Sequence, residues 1–163
     1  RVKLTPAIVL AKDTYGTVLG STAGVERNRS RNSQASVDGV TPVITGNSLI
    51  SSVQMLCNYL GGGVNAADYM NQGHNAVETL NQINGVKGIS VTGVSYDEML
   101  SCISDGRPVI AKISSDEYIV ITAYNSNQIA YIESSTGTQK TISMSDAGKM
   151  FSQGGNIFVT YYK

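Results

Sequence analysis

An α+β domain with a largely antiparallel sheet is what the order of periodicities in this chain predicts. Three observations carry it. Helical spacing runs from residue 47 to about residue 105. After Pro108 the pattern changes to short β-branched or aromatic runs. Turn-forming Asn, Ser and Gly separate those runs, and helices followed by consecutive strands fit a sheet built from neighbours in sequence.

The first helix begins near Asn47. Leu49, Ile50, Val53, Leu56, Cys57 and Leu60 recur on one face, while Met55 and Tyr59 add apolar surface elsewhere. A helix apolar over this much of its circumference is expected to be central and buried. Asn47 or Ser48 caps its start, and Gly61-Gly62-Gly63 supplies the exit.

Further helices are expected over 65–71 and 75–84, and a fourth starts at Ser95, where "SYDE" has capping-box spacing. Gly106 and Pro108 end that helix. The strands come next as "PVIAKI", "EYIVITAY", "QIAYIES", "QKTISM" and "NIFVTYY", with a short helix in "SMSDAGKMF" before the last. Residues 1–45 show β-type runs, "AIVLA" and "GTVLGS", without helical periodicity. The chain is therefore divided into an N-terminal arm or hairpin, 1–40, and a domain, 41–163.

Composition narrows the function. With 163 residues the chain is long enough to bury roughly two thirds of the surface its unfolded form exposes. Net charge is zero and the pI is near 6.8, so no broad basic face exists to hold nucleic acid. The basic run "ERNRSRN" at 26–32 reads as a solvated loop or linker. No apolar stretch reaches the length of a membrane span. The chain begins at Arg1 without an apolar leader, from which a mature or trimmed polypeptide is expected. Charged residues amount to only 15% while Ser, Thr, Asn and Gly abound, a balance that leans toward an exported bacterial domain, extracellular or on the cell surface.

Cys57 and Cys102 lack the short paired spacing of a zinc site, so neither a metal nor another cofactor is expected. Both are read as small buried hydrophobes rather than as a disulfide.

The stretch "SLISSVQMLCNYLGG", together with "DGRPVIAKISSDEYIVITAYN" and "YIESSTG", resembles the papain-like cysteine peptidases, closest to the bacteriocin-processing (double-glycine) peptidases. The likeness covers about residues 40–162. It implies a papain-like fold with a buried central helix packed on a C-terminal sheet. In that group a Cys opens the central helix in a pattern like Cys-x-x-Ala-x-x-x-Met-x-Leu-Asn-Tyr-Leu-Gly, and counting back from Asn58-Tyr59-Leu60-Gly61 puts Ser48 at its place. The family's His precedes a Tyr at the start of a strand, and here Glu117 precedes Tyr118. The Asp that orients the His corresponds to the corner at Glu133 and Ser134, and the oxyanion-stabilising amide falls at best on Asn47.

All three catalytic positions are thus replaced. A serine hydroxyl is a weak nucleophile without a base to take its proton, and a carboxylate near its usual pKa of about 4.3 is a poor base for it. His74, the sole histidine, lies before a helix and suits a surface or capping role. Ser48, Glu117 and Glu133 also suit ordinary duties as cap, strand opener and turn residue. The resemblance therefore implies a catalytically degenerate domain that binds a peptide or protein segment in the former cleft. Two other readings stay open: an active cysteine peptidase with Ser in place of a native Cys at 48, and a structural or adhesive module assembling through a sheet edge.

Overall fold

The structure, a computed structural model, describes residues 32–163. The expected runs "AIVLA" and "GTVLGS", and the basic run save for its final Asn32, lie outside the described residues.

The central helix, α1, spans Ser48–Leu60. Its 13 residues would be marginal alone, so packing holds it: Val53, Met55, Leu56 and Cys57 are all completely buried. Full burial of a side chain such as Met55 or Leu56 stabilises by about 1.5–3 kcal/mol. Gly61 ends the helix in the left-handed region at φ 71°, sending its N–H back to the last turn. Gln54 ties the chain beyond that exit back to the helix. Its amide donates to the Val64 carbonyl and accepts the Ala66 N–H, each at 2.8 Å, which fixes the turn leading into α2.

Two short helices, α2 (Ala66–Asn71) and α3 (Ala76–Leu80), start at Asn65 and Asn75, whose side chains accept from the N–H groups of Asp68 and Glu78. The second has a complete capping box with Glu78. It ends at Leu80, four residues short of the expected 84, because the chain turns repeatedly through Gln82 and Ile83. The expectation of helices first and strands afterwards also needs correcting. A strand absent from the sequence reading, β2 (Lys87–Thr92), lies between α3 and α4 (Tyr96–Ser104). Its one buried position is a glycine, Gly88, where a Cβ would stand 2.9 Å from the Val77 carbonyl. Glycine lets α3 press directly on the strand, and it also hides the strand from a period-two search.

The Ser95–Glu98 capping box of α4 forms as expected. Strands β3 (Val109–Lys112), β4 (Tyr118–Tyr124), β5 (Gln128–Glu133) and β6 (Thr138–Ser143) come after it, then α5 (Met144–Gln153) and β7 (Ile157–Tyr162). A two-residue strand, β1 (Ala35–Ser36), precedes them all.

The strands form one seven-stranded sheet in the order β2-β7-β3-β4-β5-β6, and β1 pairs with β4. Every pairing is antiparallel. Alternation divides the sheet between two cores. Ile110, Val120, Ile132 and Val159 pack with α1, α2 and α3. Val109, Ala111, Ile119, Ile121, Ile129 and Phe158 pack with Leu100 and Ile103 of α4 and Phe151 of α5. Helices therefore cover both faces, and α1 delivers its first turn to the start of β4.

Candidate functional site

Asn47 is the cap of α1: its side-chain oxygen accepts the Ile50 N–H at 3.0 Å. That releases Ser48, the first helical residue, from the capping duty considered for it. Its hydroxyl instead bridges to the turn between β3 and β4. It donates to the Asp116 carbonyl and accepts the Tyr118 N–H, both at 3.0 Å. Ser48 is buried, and its one proton is committed to a peptide oxygen. Such an oxygen accepts a hydrogen bond but cannot take the proton away, so the arrangement holds a turn without activating a nucleophile.

The two backbone groups that grip Ser48 flank Glu117. The Glu117 carbonyl closes the same turn by accepting the Ile113 N–H at 2.9 Å. Its side chain is exposed, and among the described residues no hydrogen bond joins it to Ser48. The backbone at the position expected for the base is thus drawn to α1 while the side chain of Glu117 faces solvent.

Glu133 ends β5, directly across from Ile119 of β4. Its carboxylate accepts from the Thr136 hydroxyl at 2.8 Å and from the Lys140 ammonium at 3.1 Å. These two bonds hold it below its ordinary pKa of 4.5, so it stays ionised and tied to the β5–β6 turn. The contact to α1 comes from the next residue. Ser134 is buried, and its hydroxyl lies 2.6 Å from that of Ser52. Ser52 donates back to the Ser48 carbonyl at 2.7 Å. One turn away, Thr45 meets Ser51 through a hydroxyl pair at 2.8 Å and a backbone N–H at 2.9 Å.

The structure thus brings the start of α1 against the β3–β4 turn and the end of β5, the three places at which the sequence reading put its site. Contact is made through hydroxyls and peptide groups rather than through carboxylates. Sequence reasoning places Ser134 beside Glu133 at this corner but does not single out Ser51 or Ser52 as members of the network. The signal that could have found them is the pair of hydroxyl residues inside an otherwise buried helix, polar groups that require partners.

His74 stacks on Tyr69 with ring centroids 3.9 Å apart and lies 3.8 Å from Glu78. Among the described residues no group of three or more His, Cys, Asp or Glu is arranged to hold a metal ion. A concavity of about 320 Å³ opens elsewhere, lined by Gln34, Ser36, Ala123, Asn125, Gln128 and Thr141. It sits at the Tyr124 end of β4, roughly 20 Å along the strand from the Ser48 contact at about 3.3 Å per residue. Volume and candidate chemistry do not coincide, and the hydroxyl network marks the site better, since it joins the elements that the motifs single out.

No family model matches the sequence, and no curated protein matches it. Solved structures do. One is a protein assigned to the C39-like peptidases from Bacillus anthracis, with a TM-score of 0.68 at 12% identity, covering 80% of this chain and 98% of that one. Another is a double-glycine-motif protease of an AMS/PCAT transporter, solved in complex with a leader peptide. Its TM-score is 0.54 at 15% identity, covering 78% of this chain and 96% of that one. The fold is therefore the α+β papain-like fold of those peptidases.

Proposed function

We propose that this chain is a catalytically degenerate papain-like peptidase domain that binds a peptide or protein segment beside the retired nucleophile position. One observation carries the reading: the Ser48 hydroxyl is occupied by the Asp116 carbonyl and the Tyr118 N–H.

Peptide hydrolysis in this fold needs a nucleophile with a base to receive its proton and return it to the leaving amine. Glu117 stands where the base would be, as an exposed carboxylate. Glu133 stands where the orienting residue would be, bound to Thr136 and Lys140. Glu133, held ionised by those bonds, is not disposed to carry a proton at neutral pH. Domain 41–163 keeps the framework, and residues 35 and 36 of the arm add a strand to it through β4. The peptide part of the proposal draws on the double-glycine-motif protease, a neighbour of the same fold solved with a leader peptide.

The test pairs hydrolysis with binding. A library of extended peptides should be left intact by the native chain and by Ser48→Cys alike. Bound peptides should shift the amide resonances of Tyr118, Ile119 and Ser134. Hydrolysis by the native chain that disappears in Ser48→Ala would overturn the degenerate reading. Absence of any peptide-dependent shift would overturn the binding one.

A further inference from the structure

We infer that Asn84 is a site of spontaneous deamidation and backbone isomerisation, the position at which this chain ages chemically. Asn84-Gly85 is the single Asn-Gly pair in the sequence. It forms the central pair of a turn closed by the Val86 N–H on the Ile83 carbonyl at 3.0 Å. Gly85 takes a φ of 80°, and nothing lies within 4 Å of where its Cβ would be. Both residues are exposed.

The reaction needs an approachable backbone nitrogen and a side-chain amide with no other occupation. Among the described residues the Gly85 N–H donates to nothing, and no hydrogen bond engages the Asn84 side chain. Several other asparagines are held. Asn47, Asn65 and Asn75 cap helices. Asn81 accepts the Gly88 N–H at 2.7 Å, and Asn125 accepts the N–H groups of Asn127 and Gln128, each at 2.8 Å. An exposed asparagine before glycine lacks both the steric shield of a following side chain and the restraint of a bonded amide.

The step balances without an oxidant or reductant. The Gly85 nitrogen, giving its proton to solvent base, attacks Cγ of Asn84. A C–N bond forms, the bond from Cγ to Nδ2 breaks, and ammonia leaves after taking up a proton. One water molecule then opens the cyclic imide at either carbonyl, leaving aspartate or isoaspartate. Isoaspartate inserts a methylene into the main chain shortly before Gly88, where β2 fits under Val77 and Leu80 with no space for a Cβ. Ageing at this turn therefore loosens the contact of α3 with β2.

The experiment is timed incubation of the purified chain at neutral and mildly alkaline pH, followed by peptide mapping by mass spectrometry. Expected is conversion at Asn84 severalfold ahead of every other asparagine, faster at higher pH, with aspartate and isoaspartate products. Asn84→Gln, whose amide could close only a larger ring, should remain unconverted. Gly85→Ala should slow the conversion, and where strain at φ 80° prevents its folding the glutamine variant carries the test. Asn47 or Asn125 converting first, or an unchanged Asn84 under conditions that convert them, would overturn the assignment.

Discussion

Ser134 donates its hydroxyl proton to Ser52. The direction is set by counting hydrogens: Ser52 already commits its proton to the Ser48 carbonyl at 2.7 Å, so across the 2.6 Å between the two hydroxyls it can only accept. A chain of hydrogen bonds thus runs from the corner after β5 into the first turn of α1, in a buried setting.

Polarity in that chain predicts unequal costs. Ser52→Ala leaves the buried Ser134 hydroxyl without its acceptor, whereas Ser134→Ala leaves the Ser52 donation intact. Each substitution should destabilise by about 1–3 kcal/mol, Ser52→Ala by more. The double variant should fall short of the sum by about 0.5–3 kcal/mol. Denaturant midpoints for the four proteins measure this, and equal, additive effects would contradict the direction assigned.

Ser48 should behave as a structural bridge. Ser48→Ala removes the partner of the Tyr118 N–H and the Asp116 carbonyl, and a loss of about 1–3 kcal/mol is expected. Amide exchange at Tyr118 should accelerate more than at Val120, in mid-strand. Unchanged protection at Tyr118 would mean that the turn is held by other contacts.

How much of the fold and of the candidate site is legible in the sequence can be seen from α1. Its buried faces emerge from residue spacing, as do the helix starts at Asn65 and Asn75, and the cap at Ser95 from side-chain chemistry acting within one turn. The β2 strand is not legible, because Gly88 answers to α3 rather than to its own strand. Nor is the bonding of Ser48. Its partners are peptide groups of Asp116 and Tyr118, far along the chain, and every residue type supplies a peptide oxygen. Side chains at 117 and 133 can be placed by motif, but whether they turn inward depends on the fold.

Glu133 should impose a pH dependence on the acid side. Bonds from Thr136 and Lys140 lower its folded pKa below 4.5, so its stabilising contribution is complete above the unfolded value and is lost as pH falls through the folded one. Glu133→Gln should therefore narrow the stability gap between neutral pH and pH values below 4.5. The same carboxylate raises the affinity of Lys140 for its proton, and that contribution is lost only as pH climbs above the ordinary lysine range. A Glu133→Gln stability curve parallel to the native one across the acid limb would refute this.

The two thiols should separate by reactivity. Neither is in a disulfide. Cys57 is completely buried, and burial pushes its pKa up to about 11, which leaves roughly one molecule in a thousand as thiolate at about pH 8. Cys102 is only partly buried. A thiol reagent under mildly alkaline conditions should label Cys102 in the native state and reach Cys57 only on unfolding. Mass spectrometry of the labelled peptides reads the order directly.

The sheet order has a consequence for assembly in time. Strand β7 lies between β2 and β3 and bonds to both, yet it is the latest of the strands to be synthesised. Until Ile157–Tyr162 leaves the ribosome, β2 has no neighbour in the sheet, and the edge of β3 away from β4 stays open. The strands from β3 to β6 can pair locally, but joining β2 to them requires closure of a long loop, the slow kind of contact in folding. A nascent chain halted before Ile157 therefore exposes two unfinished edges, and its window of vulnerability to aggregation or chaperone capture is set by the arrival of six residues.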